Sequence, residues 1–563
     1  MISLQRPVEM RKPREHSTSR PEYERGRLIV HGELVATVSR HLLTLKVLKS
    51  VGEKGGQVSR TLVDFDQDVV MLQDADALPQ LIGDYKPVDR WQVHINTLFY
   101  RFRGHQIRSF YQTFASADHR LAHALAADYF EQVLKREKSR DKGVTGQQVN
   151  KASGSTDTPA TPLSPASPLT ILEFGPGNGN LAACFLSHLK LLDKEGMIYP
   201  RIRYVLVDWE QAVLDAALAH PSLSPHRDRV EIHRGTVDRL DGITDGSVDR
   251  IICNELWNDL PTKLMSRQAN DIEEEFLRPN LSEALHGKIA DWATFVRAFD
   301  AMDIDTLKGF PPFLDDLVWE REYRMVEWKE VPYRKTITEF LKRIDEQVVV
   351  PVNLGAYATI KEAKRLLAPE AIGFSSFDAG TADMNVLNDP EKPCYGQFGG
   401  QQSFMVNFAL AEAVAKQLDA GTMTVESQRE FVGRSLGTNV LTLMDLIATH
   451  PSAGTRMALW EQDRLMLKTL RALNETYRSP YARHLDFPIP VEIPPEERDT
   501  FQALVRSLSP TGIPDTVAYL TEEELALASK DLEDIGYDPQ SFMIALTAPP
   551  SPVDYFHAHV RSR

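Results

Sequence analysis

A chain of 563 residues is too long for one hydrophobic core, so about two to four folding units are expected. Apolar content of 42% and charged content of 25% are ordinary for a globular protein, and no run of about 18 apolar residues is present to span a bilayer. The net charge of −15 argues against nucleic acid as the main partner, and three scattered cysteines (Cys184, Cys253, Cys394) form neither a disulfide framework nor a metal-ligand pattern, which fits a reducing cytoplasm.

Residues 1–136 read as a basic arm followed by a cap region, with a helix expected from Ala117 to Lys135. Residues 137–168 are rich in Ser, Thr and Pro and too poor in large apolar groups to offset ordering entropy, so they read as a flexible linker or insertion. From 169 to 265 apolar strands alternate with helices: strand 169–174, helix 180–192, strand 203–208, helix 210–219, strand 229–233 and strand 248–253. That order predicts a parallel, doubly wound α/β sheet of the Rossmann-like kind. The acidic and aromatic run 266–345 reads as a mostly helical insertion or lid, the sheet pattern resumes over 346–437, and 438–563 reads as a helical C-terminal region.

The most informative segment is Leu169-Thr-Ile-Leu-Glu173-Phe-Gly175-Pro-Gly177-Asn-Gly179-Asn-Leu181, a strand, a glycine turn and a helix without a break. Three glycines there let the backbone approach a ligand closely and adopt positive φ. In an open parallel sheet ligands bind beyond the carboxyl ends of the strands, so each strand tip is a candidate. Asp208, after the second strand, is placed to accept hydrogen bonds from a ribose diol, with an N-cap of the next helix as the alternative. Thr236, after the third, belongs either to an adenine-framing loop or to a plain turn. The fourth strand ends Cys253-Asn254-Glu255-Leu-Trp257-Asn258-Asp259-Leu-Pro261, an abrupt change from apolar to polar that reads as a site. His119 and His123 stand four apart without the acid of a zinc-protease motif, so no metal site is assigned.

Together these segments resemble the class I S-adenosylmethionine-dependent methyltransferases, and among them the MidA-like family, which includes mitochondrial complex I assembly factors that methylate a protein arginine. The resemblance rests on Glu173 before the Gly-Pro-Gly-x-Gly loop, the Asn254-Glu255 motif, Val406-Asn407-Phe408 and Gln428-Arg-Glu-Phe431, and spans roughly 169–265 and 345–437. The chain departs from the family pattern at Asn258, where the family has aspartate with Asp259 one place later, at Asn178, where it has arginine, and at Gln401-Gln402-Ser403, where it has Asp-Leu-Thr. The resemblance implies S-adenosylmethionine held by Glu173, Gly175, Gly177, Gly179, Asp208, Thr236 and Asn254, with Glu255 and Asp259 as catalytic residues and a protein side-chain nitrogen as acceptor. Two other functions stay open from sequence: a non-catalytic, cofactor-binding assembly protein, and an NAD(P)-dependent oxidoreductase, since Gly177-Asn-Gly179-Asn-Leu-Ala182 also satisfies the permissive dinucleotide pattern.

Overall fold

The computed structural model describes residues 82–103, 118–148, 168–398, 400–455, 457–474, 476–477, 480, 493–508 and 518–561. The basic arm and most of the expected linker lie outside these residues. Strands run in chain order as β1 Lys86–Pro87, β2 Leu169–Phe174, β3 Ile202–Asp208, β4 Val230–Arg234, β5 Arg250–Asn254, β6 Lys263–Gln268, β7 Asp271–Leu281, β8 Leu317–Met325 and β9 Val350–Val352. They continue as β10 Gly373–Thr381, β11 Tyr395–Phe398, β12 Gln401–Phe404, β13 Val406–Asn407, β14 Thr422–Ser427, β15 Val440–Thr442, β16 Tyr519–Thr521 and β17 Asp554–Arg561. The helices that matter for the site are α1 Val88–Arg103, α2 His119–Gln148, α3 Asn180–Leu192, α4 Gln211–Leu218, α5 Leu354–Leu366, α6 Phe408–Gln417, α7 Gln428–Leu436 and α8 Glu522–Glu533.

The central sheet has the order β14-β17-β10-β5-β2-β3-β4. All its pairings are parallel except those of β17, which runs antiparallel between β10 and β14. Alternate residues of β2 enter opposite cores. Leu172 and Phe174 pack with α5 and α6, whereas Ile171 packs with α2 and α3. Strands buried on both faces need apolar residues at nearly every position, which is why Leu-Thr-Ile-Leu-Glu-Phe and Ile-Arg-Tyr-Val-Leu-Val-Asp were readable as strands. The doubly wound α/β expectation therefore holds. The chain order reverses between β2 and β5, and this switch point opens the crevice where such sheets bind ligands.

Four expectations need correction. The run 266–345 is not mostly helical: β7 and β8 pair over their whole shared length and, with β1, β6 and β9, form a second, antiparallel sheet. Two acids of this run are strand residues held inside, with Glu274 paired to buried Lys263 at 2.5 Å and Glu275 to Arg321 at 3.4 Å. Val350–Val352 joins that sheet rather than the parallel one. The C-terminal region is helical around its own core of Leu467, Leu470, Leu504 and Leu532, but it also supplies β17 to the central sheet. Finally, α2 continues through 148, so the first part of the expected linker is helix. Among the described residues no helix is long and apolar enough to cross a membrane.

Candidate active site

The glycine loop turns β2 into α3 with Gly175, Gly177 and Gly179 all at positive φ, +65°, +53° and +81°. Their reasons differ. A Cβ on Gly179 would sit 2.6 Å from the Ala217 carbonyl oxygen of α4, so that glycine serves close backbone packing. A Cβ on Gly177 would meet no protein atom within 4 Å, and the residue is exposed, so its missing side chain leaves room for a ligand. Gly175 donates its N–H to the Val207 carbonyl at 3.0 Å, which ties the loop to β3, and lies against Leu256 of the loop after β5.

Asp208 ends β3. Its carboxylate accepts the Glu210 N–H at 2.8 Å, while Glu210, the residue that caps α4, makes no side-chain cap. Asp208 therefore closes a tight turn rather than capping the helix, and burial pushes its pKa up to about 6. The Gly235 N–H reaches the Asp208 carbonyl at 3.0 Å, bringing the β4 tip alongside. Thr236 is exposed there and its hydroxyl is directed at Arg239 O, 3.5 Å away within the same turn, the plainer of its two readings. Glu173 is buried in β2, where the Tyr204 hydroxyl donates to it at 2.8 Å and burial pushes its pKa up to about 8. Its carboxyl faces the neighbouring strand β3 and is hydrogen-bonded there.

At the β5 tip, Asn254 carries a buried Oδ1 with no hydrogen-bond partner. Glu255 follows in the left-handed region at φ +51°, with its N–H on the Phe377 carbonyl of β10 at 2.7 Å. A non-glycine residue held there costs of order 1–3 kcal/mol, and such outliers gather at functional sites. Asp259 lies one turn on. Its Oδ2 accepts the Tyr100 hydroxyl at 2.8 Å and the Gln401 amide, and burial pushes its pKa up to about 7. Sequence reasoning missed Asp378 in β10, which is fully buried and accepts the Asn258 N–H at 3.1 Å. Burial first, then the negative charges of Glu255 and Asp259, raise the Asp378 pKa well above the carboxylate range. The available signal was a single acid inside the strand-like run Gly373-Phe-Ser-Ser-Phe-Asp378.

Sequence reasoning also missed α1. Trp91, Ile95, Leu98 and Phe99 form its apolar face, and Gln92, Asn96 and Tyr100, each four residues apart, form a polar stripe. Gln92 accepts the Thr262 N–H at 2.7 Å, Asn96 exchanges two 2.9 Å bonds with the Gln402 backbone, and Tyr100 reaches Asp259. The next residue, Arg101, stands 5.9 Å from the Trp209 ring beyond β3. This helix thus lies over the strand ends from β5 to β3. The buried Oδ1 atoms of Asn258 and Asp259 and the amide of Gln402 have no hydrogen-bond partner beneath it. His119 and His123, by contrast, pack with His188, stacked on His123 at 4.0 Å, away from the strand tips. No group among the described residues is suited to a metal ion.

A family described as "Putative S-adenosyl-L-methionine-dependent methyltransferase" matches residues 146–375, from α2 into β10, and so contains the glycine loop and the Asn254-Glu255 tip. Fold and site thus define a class I S-adenosylmethionine-dependent methyltransferase, an enzyme whose cofactor is S-adenosylmethionine. Two crystal structures from Burkholderia thailandensis are similar to the chain. One is described as an uncharacterized protein (15% identity, 77% of this chain, 88% of that chain, TM-score 0.38). The other is a "likely methyl transferase" bound to S-adenosyl-homocysteine (14% identity, 77% of this chain, 89% of that chain, TM-score 0.39). No curated protein matches significantly.

The residues present fit that cofactor. The open space at Gly177, the acid at the β3 tip and the unpartnered Asn254 Oδ1 all border the switch-point crevice.

Proposed function

We propose that this enzyme methylates a cationic side-chain nitrogen of a protein, arginine by its resemblance to the MidA-like family. The observation that carries this reading is Glu255, held in a strained conformation at the switch point with the buried acid Asp378 close enough to feel its charge. When bound, S-adenosylmethionine supplies an electrophilic methyl group on a sulfonium. The chain's part is to position and stabilise. Gly177 and Asp208 hold the cofactor's two halves, and Asn254 presents its amide oxygen to the crevice. A carboxylate at Glu255 takes two N–H groups of a guanidinium side by side, aligns the remaining nitrogen and stabilises the charge that develops on it. Asp259 and Asp378, pushed toward their neutral forms by burial, add polarity without a fixed competing charge. Helix α1 covers the strand tips and limits water there.

Methyl transfer from labelled S-adenosylmethionine to proteins of a lysate lacking this gene product tests the reading, with wild type and Glu255→Gln compared at matched cofactor occupancy. Labelling by wild type that is lost in the variant is expected. Equal labelling by both removes Glu255 from the chemistry, and absence of protein labelling by wild type overturns the acceptor class. Calorimetry with S-adenosylmethionine and with NAD on the same preparation should show binding of the first alone.

A further inference from the structure

Three segments far apart in the chain meet beneath α1. The Tyr100 hydroxyl donates to Asp259 Oδ2 at 2.8 Å, and the Gln401 amide of β12 donates both to that oxygen and, at 3.1 Å, to the Tyr100 hydroxyl. The backbones are tied as well. Asn96 Nδ2 reaches the Asp259 carbonyl at 3.3 Å and the Gln402 carbonyl at 2.9 Å, and Gln92 Nε2 reaches the Asn258 carbonyl at 3.2 Å. These bonds use the Tyr100 O–H and both N–H groups of the Gln401 amide.

What the cluster leaves over is acceptors. Asp259 Oδ1 and Gln401 Oε1 are buried with no hydrogen-bond partner, and Asn258 Oδ1, in the same short turn as Asp259, is a third such oxygen. Gln401 is fully buried and Asn258 nearly so. A buried polar atom left without a partner is costly, and a buried carboxylate is ordinarily paired with a cation. Glu274 and Glu275 of the second sheet are paired in this way, with Lys263 and Arg321, whereas among the described residues no Lys or Arg pairs with Asp259. The missing partner is therefore a donor of N–H groups, and a positive charge suits it best. A guanidinium meets both needs. It carries five N–H groups and is less strongly hydrated than an ammonium, so it enters a buried polar pocket at lower cost. Tyr100 and Asp259 are each partly exposed, which leaves the cluster an edge at the surface.

We propose that Asp259 and Gln401 form a guanidinium pocket beneath α1, in which Asp259 Oδ1 and Gln401 Oε1 take N–H groups of the acceptor side chain. This deepens the reading of the acceptor as a cationic protein side chain and rests on it. The alternative is a purely structural cluster whose spare oxygens meet only water.

The test is calorimetry of methylguanidinium and of methylammonium with the full chain saturated with S-adenosyl-homocysteine, which has no methyl group to transfer. Wild type, Asp259→Asn, Gln401→Met and Glu255→Gln are compared, with melting temperature and cofactor affinity as controls. Wild type is expected to bind methylguanidinium more tightly than methylammonium, and Asp259→Asn to weaken methylguanidinium by about tenfold or more, as for the loss of a hydrogen bond to a charged group, with cofactor affinity unchanged. Wild-type affinity in Asp259→Asn together with weakening in Glu255→Gln overturns the inference and leaves the Glu255 clamp standing. The opposite pattern supports the inference and removes that clamp. Methylammonium bound as tightly as methylguanidinium, wild-type affinity in both variants, or no binding by wild type overturns the inference, and protein labelling then judges the acceptor class on its own. If Asp259→Asn does not fold, Gln401→Met decides: reduced methylguanidinium affinity supports the inference and undiminished affinity overturns it.

Discussion

Tyr100 and Asp259 are 159 residues apart in the chain, and the Tyr100 hydroxyl donates to the Asp259 carboxylate at 2.8 Å. The contact fastens α1 to the loop after β5, so an element N-terminal to the matched core shapes its polar pocket.

Asp259 makes stability depend on pH in a specific sense. Burial, opposed by hydrogen bonds from Tyr100, Ser403 and Gln401, raises its pKa from 3.8 to about 7. The native state therefore holds a proton that the unfolded chain releases, and stability falls as pH rises through that interval. Asp208, raised to about 6, and Asp554, raised to about 7, act in the same direction. The melting temperature of Asp259→Asn is expected to decline less than that of wild type between pH 5 and pH 8. Parallel declines in thermal melts would show that Asp259 titrates normally.

Asp208→Ala is expected to weaken S-adenosylmethionine by about tenfold or more, since each hydrogen bond to a charged acceptor is worth about 1.5–3 kcal/mol. The fold should survive, because the carboxylate closes only its own turn. Unchanged affinity in calorimetry would reduce Asp208 to that turn.

Gly177 and Gly179 should separate binding from folding. Gly177→Val fills the open side of the loop and is expected to abolish most cofactor affinity, at a stability cost of about 1–2 kcal/mol for a side chain at positive φ. Gly179→Ala instead forces a Cβ against Ala217 of α4, so its main effect should be a lower melting temperature. Full cofactor binding by folded Gly177→Val would exclude this loop from the site.

Arg120→Ala leaves the Tyr519 carbonyl and the Glu524 carboxylate without their shared donor in a mostly buried position. Breaking such a pair from one side costs about 3–5 kcal/mol. Faster proteolysis near β16 and a lower melting temperature are expected. Wild-type behaviour in both assays would mean that the C-terminal unit is held by its apolar contacts alone.

What was legible in the sequence follows from burial. Strands β2, β3 and β5 lie inside the sheet and read as apolar runs, and the glycine loop and Asp208 follow from their tips. Strand β7 carries Glu273-Glu-Glu, and no hydropathy pattern shows that Glu274 and Glu275 are inside, because that depends on Lys263 and Arg321 arriving from other strands. In β17, His557 and His559 look polar, yet His557 stacks on Phe377 at 4.4 Å and shares the Ser375 hydroxyl with His559. The polar stripe of α1 was hidden for the same reason, since its partners at 258–262 and 402 are far away in the chain. Glu255 was found because its strand tip was found, whereas its strained backbone is visible only in three dimensions.

The place of β17 also bears on how the protein is made. Among the described residues β14 touches the central sheet only through β17, whose other edge pairs Phe374 with Val560. While a ribosome is still adding residues before 554, β14 has no strand beside it and the open edge of β10 is exposed to other chains. Long-range closure of this kind is slow and leaves edges open to mispairing, so a nascent chain stalled in this interval would be a natural client for chaperones.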